Sequence, residues 1–175
     1  MYLMQQDNIR KLLAQRMVAM TGPIEAQGAQ CVMAMMLFLF DQDKNSPIQL
    51  IIDSEGGLAS SGLAIIDVIR ENSRMTHTVA PRYAAGIATI ILACGAQGHR
   101  RIGKNAVVHI SPVTSPHETP QARAEMARIR NELTEILASR TGQRLNSIRK
   151  DLYWGREFNA ESALAYGLVD DILRG

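Results

Sequence analysis

The sequence predicts an α/β fold in which parallel strands are joined by crossover helices. Short apolar runs that read as buried strands alternate with longer segments of helical period along most of the chain. That alternation implies parallel strands linked by right-handed crossovers. A glycine pair, Gly56-Gly57, stands where one such strand gives way to a helix. The composition is that of an ordinary globular chain, 46% apolar and 21% charged over 175 residues, which excludes disorder and fibrous structure.

The elements follow in order. Met17 to Thr21 reads as a short strand closed by Gly22-Pro23. Residues 25–40 read as a helix, because Ala29, Val32, Met33, Met36, Leu37 and Phe40 recur at helical spacing and a polar run ending in Pro47 stops them. Ile48 to Ile52 is a buried strand, followed by the turn Asp53-Ser54-Glu55-Gly56-Gly57 and a helix over 60–71. Met75 to Ala80 is a strand, Ala84 to Cys94 an almost wholly apolar helix, and Arg101 to Ile110 another strand with a turn at Gly103. Ser111 to Pro120 carries three prolines and is expected to be irregular.

Residues 121–140 form the longest helix, closed by Gly142, with Met126, Ile129, Leu133, Ile136 and Leu137 as a narrow apolar stripe. The stripe fits a second subunit, with Met126, Ile129, Leu133 and Leu137 as the interface; an ordinary core-facing helix fits it as well. Two shorter helices follow, one over 145–152 and one capped by Asn159 and stopped by Gly167, before a closing strand over 168–173.

Charge narrows the partners. Lys and Arg number 19 and Asp and Glu 17, so a net +2 argues against nucleic acid or an anionic membrane as a partner. Cys31 and Cys94 both sit in apolar runs, and two buried free thiols in a reducing compartment are expected. The first residues lack a basic region followed by an apolar one, and the longest apolar stretches fall short of the ~20 residues that span a bilayer. A soluble protein of one domain over residues 1–175, in the cytoplasm or the equivalent plastid or cyanobacterial compartment, is expected.

Two strand-to-helix turns are candidate sites. Gly56-Gly57 lets the backbone approach a ligand and aims free N–H groups outward, as an anion or oxyanion requires; a tight turn needing positive φ is the reading that a lone glycine pair favours. Ala84-Ala85-Gly86 precedes the most apolar helix, where a nucleophile would sit, yet Gly86 has no side chain. Ser54, Ser60 and Ser61 read as helix-start serines and Glu55 as a solvated turn residue. His77, His99 and His117 have no metal-ligand spacing among themselves or with the cysteines, and no cofactor is called for.

Five strings in order, Met33 to Leu39, Leu50 to Gly57, Leu92 to Gly98, Thr141-Gly142-Gln143 and Ala165 to Asp170, resemble the proteolytic subunit of the Clp protease, ClpP. The resemblance runs from about Leu12 to the C-terminus. It implies a ClpP/crotonase-like fold of repeated β-β-α units with a protruding handle over 112–141, assembled as stacked heptameric rings. It also implies a Ser-His-Asp peptidase site, and here the three positions carry Gly86, Ser111 and Gly155. The two oxyanion donors match Gly57 and Ile87. Without nucleophile, base and orienting carboxylate the hydroxyl chemistry has no actors. His109 lies two residues before the expected histidine, about 6.6 Å along the strand, too far for the family geometry.

By this resemblance the chain is a non-catalytic ring subunit, similar to the ClpR subunits. It occupies ring positions alone or with an active ClpP paralogue and faces a Clp AAA+ unfoldase. The alternatives are a peptidase with a rearranged site and a crotonase-like acyl binder. Only about ten residues precede Arg10, so the arm that lines the family's axial pore is expected to be short or absent. The shortened, proline-rich stretch after Ser111 is expected to alter pairing between rings.

Overall fold

The structure is a computed structural model that describes residues 6–112 and 119–174. The elements are α1 (Gln6–Ala14), β1 (Met17–Thr21), α2 (Ala26–Gln42), β2 (Ile48–Asp53), α3 (Ala59–Glu71), β3 (Thr76–Ala80), β4 (Tyr83–Ala85) and α4 (Ile87–Ala93), then β5 (Arg100–Gly103), β6 (Val107–Ile110), α5 (Pro120–Thr141), α6 (Leu145–Trp154), β7 (Arg156–Phe158), α7 (Ala160–Tyr166) and β8 (Asp171–Leu173).

Five strands form a parallel sheet in the order β1-β2-β3-β5-β8. Burial alternates along β1 and β2, so Val18, Met20, Ile48, Leu50 and Ile52 pack inward while Gln49 and Ile51 face the other way half-covered. A second sheet, β4-β6-β7, pairs β4 with β6 in parallel and β6 with β7 antiparallel. A bridge between Ser54 and Ala84 joins the two sheets at the end of β2. Helix α4 lies at their junction with every residue from Ile87 to Ala93 buried, and residues from both sheets share one apolar cluster around it. This is the α/β, ClpP/crotonase-like architecture that the order of segments implies.

Several boundaries differ from the sequence expectation. The apolar run from Ala84 is not helical at its start: Tyr83–Ala85 pair as β4, and Gly86, at φ 56 and ψ −128, turns the chain into α4. Arg101 to Ile110 is two strands in different sheets, because the turn after Gly103 lifts the chain from one layer to the other. The closing strand shrinks to β8, and α1 and β7 are additional. Leu37 points outward, 52% exposed. Cys31 is exposed rather than buried; Cys94 is buried, which pushes its thiol up to about 11.

Helix α5 starts at Thr119, whose side-chain oxygen accepts from the Ala122 amide, with Pro120 in the first turn, and ends at Gly142 in the left-handed region. Pro120 thus belongs to the helix, while 113–118, the rest of the expected irregular stretch, lie outside the described residues. The stripe on α5 is covered by its own chain: Ile129, Leu133, Ile136 and Leu137 are buried and Met126 packs partly buried beside them. Helices α4 and α6 are the neighbours. The premise for an interface at Met126, Ile129, Leu133 and Leu137, that the stripe has no partner in its own core, therefore fails; what α5 exposes is its first two turns and its polar flanks.

Candidate functional site

A cleft of about 300 Å³ opens where α3, α4, α5 and β6 meet. The Gly56-Gly57 turn forms one wall. Ile24 donates its N–H to the Gly56 carbonyl at 2.7 Å and accepts from Leu58 N at 2.9 Å, which pins the turn to the chain after β1. The Ser54 hydroxyl, buried, accepts from Gly56 N at 3.0 Å, so it is a turn-former. The Gly57 N–H lies between the two amides used by this bridge and has no backbone acceptor among the described residues.

Gly86 forms the floor. Its N–H donates to the His109 carbonyl at 2.9 Å and the Ala85 N–H to the Ser54 carbonyl at 2.9 Å. The Thr89 hydroxyl, buried in the first turn of α4, reaches the carbonyls of Ala84 at 2.8 Å and His109 at 3.0 Å. These bonds hold the elbow rigid between β4 and β6. The Ile87 N–H opens α4 and, as for any first helical residue, has no turn before it to accept. Gly57 and Ile87 both line the cleft, and among the described residues neither N–H has a backbone acceptor.

The elbow has room for a side chain at Gly86, although its φ of 56 disfavours one. A Cβ on Gly86 would lie 3.8 Å from both Cβ and Oγ of Ser111 and 3.9 Å from the Glu55 carbonyl oxygen, ordinary contact distances. A Cβ on Gly155 would lie 3.2 Å from His109 Nε2 and 3.3 Å from Pro112 Cδ. Gly86, Ser111 and Gly155 thus gather around one point, with His109 among them. Glu55 and Ser60 stand on the cleft rim, exposed. Met126, Ile129 and Leu133, three of the four residues expected at an interface, line the apolar side of the cleft in the single chain.

One contact was not anticipated. His109 Nδ1 is 2.9 Å from Ser111 Oγ. The signal lay in the string His109-Ile110-Ser111, since residues two apart at a strand end share a face. The remaining histidines differ: His77 and His99 stack at 4.0 Å between ring centroids, and burial with the nearby His99 and Arg101 holds the His77 imidazole below its usual range. His117 lies outside the described residues.

The sequence profile of the family described as Clp protease matches residues 3–175. The chain belongs to the Clp protease family. It is 34% identical over 178 aligned positions to the ATP-dependent Clp protease proteolytic subunit of Streptococcus suis (strain 98HAH33), an alignment that covers 95% of this chain and 89% of that protein. The subunit of the same name from Streptococcus equi subsp. equi (strain 4047) is 34% identical with the same coverage. That of Streptococcus sanguinis (strain SK36) is 33% identical, again over 95% and 89%. The Clp protease family assignment supplies the serine-peptidase fold on which the cleft is read. Among the described residues no helix is long and apolar enough to cross a membrane.

Proposed function

We propose that this chain is a ring subunit of a Clp protease complex that has lost the family's triad and serves a structural role. The observation that carries the reading is Gly86: the elbow that would present a nucleophile is intact in backbone and bare of any side chain. Ser111 and Gly155 at the other two positions supply neither an imidazole nor a carboxylate. The Gly57 and Ile87 amides remain as the two donors of an oxyanion cradle beside a site without the family's triad.

In this reading one ClpP-like domain fills residues 1–175 and occupies positions in a cytoplasmic ring. The ring is a heptamer, single or stacked, alone or mixed with an active paralogue, and offers a docking face to a Clp AAA+ unfoldase. Native mass spectrometry tests the assembly, on the chain alone and mixed with a triad-intact family member. Masses of seven or fourteen subunits support the reading, and a monomer in both samples contradicts it.

A further inference from the structure

We propose that Ser111 is an acyl acceptor with His109 as its base, and that the cleft takes an activated acyl group, a thioester or aryl ester. Ser111 Oγ and His109 Nδ1 are 2.9 Å apart at the end of β6. With the ring proton on Nε2, Nδ1 holds a lone pair and accepts the hydroxyl proton. The pair is rigidly placed, because β6 is held between β4 on one side and β7 on the other. Ser111 lines the cleft, and its Cβ and Oγ are both 3.8 Å from where a Gly86 Cβ would stand, so its side chain borders the space above Gly86 at the start of α4. Met126, Ile129 and Leu133 offer an apolar wall to the acyl chain.

The step balances within these groups. Ser111 Oγ adds to the acyl carbonyl carbon while its proton passes to His109 Nδ1, and the carbonyl oxygen takes the negative charge facing the Gly57 and Ile87 amides. The carbonyl re-forms as the C–S or C–O bond to the leaving group breaks. The departing thiolate or phenolate takes the proton from His109, leaving an ester on Ser111. Water then adds to that ester with His109 again accepting the proton, and the acid departs as Ser111 recovers its hydrogen.

An amide is a different demand, since its nitrogen leaves only when protonated. Gly155 puts no carboxylate beside His109 Nε2 to fix the tautomer or stabilise the imidazolium that must deliver that proton. Acylation by activated donors without peptide cleavage is therefore what this pair can perform. The inference shares a cleft with the structural reading and does not depend on it.

The experiment treats the purified, assembled protein with a fluorophosphonate probe, maps the phosphonyl adduct by peptide mass spectrometry, and separately follows p-nitrophenolate release from p-nitrophenyl butyrate. One adduct on Ser111 is expected. It disappears in Ser111→Ala and forms about 100-fold more slowly in His109→Gln, the usual scale of a lost general base. Melting curves establish that both variants are folded; should His109→Gln fail, His109→Asn removes the imidazole with a smaller amide. No adduct, an adduct elsewhere, or a Ser111 adduct formed at an unchanged rate without the imidazole overturns the proposal. None of these results touches the ring reading, which falls to a monomeric mass or to peptide cleavage instead.

Discussion

Arg100 grips Asp170 with both arms of its guanidinium: Nε donates to Oδ2 at 2.8 Å and Nη2 to Oδ1 at 2.5 Å. Arg100 is 4% exposed. Its remaining nitrogen, Nη1, donates to the carbonyls of Ala93, Arg140 and Gly167, the ends of α4, α5 and α7 or the residue just past them. Arg140 meets the same corner from α5, donating to Ala93, Cys94 and Gly95 carbonyls. The last carbonyls of a buried helix need such partners. The pair therefore anchors the C-terminal end of α4, whose N-terminal end is the floor of the cleft.

Removing one charge from this pair strands the other. Asp170→Asn is expected to cost about 3 kcal/mol at neutral pH, a fall of about 6 to 12 °C in Tm for a chain of this size. Burial alone would raise the Asp170 carboxyl, but the Arg100 hydrogen bonds and charge, with the Gly98 amide, hold it below the usual carboxylate range. A folded-state pKa below the unfolded value of about 3.9 gives stability that is fully present above that value. That stability is lost as pH falls through the folded pKa. Thermal melts at several pH values should show the wild-type advantage over Asp170→Asn constant above about pH 5 and shrinking below pH 4. An equal Tm at pH 7 contradicts this account of the corner.

Gly57 is fixed by its surroundings as well as by any ligand. Its φ is 150, and a Cβ there would lie 2.8 Å from Ile24 N and closer still to the Ile24 carbonyl oxygen. Both are backbone atoms that cannot swing aside. Gly57→Ala should cost about 2 kcal/mol or more from the disfavoured φ with the clash added, seen as a fall of about 4 to 8 °C in Tm. The fall should appear with or without an acyl or peptide ligand. An unchanged melt together with lost ligand binding shows instead that Gly57 is held for the site.

Leu133 distinguishes a core helix from an interface helix. It is 1% exposed in the single chain, against the cleft and α4. Leu133→Asp should unfold the protein, with loss of helical circular dichroism, since burying an unpaired carboxylate costs several kcal/mol. A well-folded, dispersed subunit is the result that contradicts this placement and restores the stripe as an interface.

The order of strands and helices was legible because the buried strands are short apolar runs bounded by breakers, and the crossover helices keep their period. Tyr83–Ala85 was hidden because it is as apolar as the helix it feeds; only the backbone of Gly86 separates them, and periodicity carries no record of φ. The division of Arg100–Gly103 from Val107–Ile110 depends on which sheet each strand joins, a non-local fact. Arg156–Phe158 exists as a strand only because it pairs with β6 across the chain. The stripe on α5 was read correctly as apolar, but that its own chain covers it was not legible, because α4 is apolar on every side and gives no hint of which helix packs on it. At the site, the glycines at 57, 86 and 155 and the serine at 111 could be read one by one. That Ser111 bonds back to His109 rather than standing alone needed coordinates.

With Gly86, Ser111 and Gly155 at the three positions, the cleft is expected not to cleave peptide bonds. The most direct measurement is cleavage of an internally quenched peptide, whose scissile bond is an unactivated amide, by the assembled wild-type protein and by Gly86→Ser. Both are expected to stay at background, because a hydroxyl restored at the elbow still lacks an imidazole at position 111 and a carboxylate at position 155. Cleavage by the wild-type protein that one serine substitution abolishes contradicts the account.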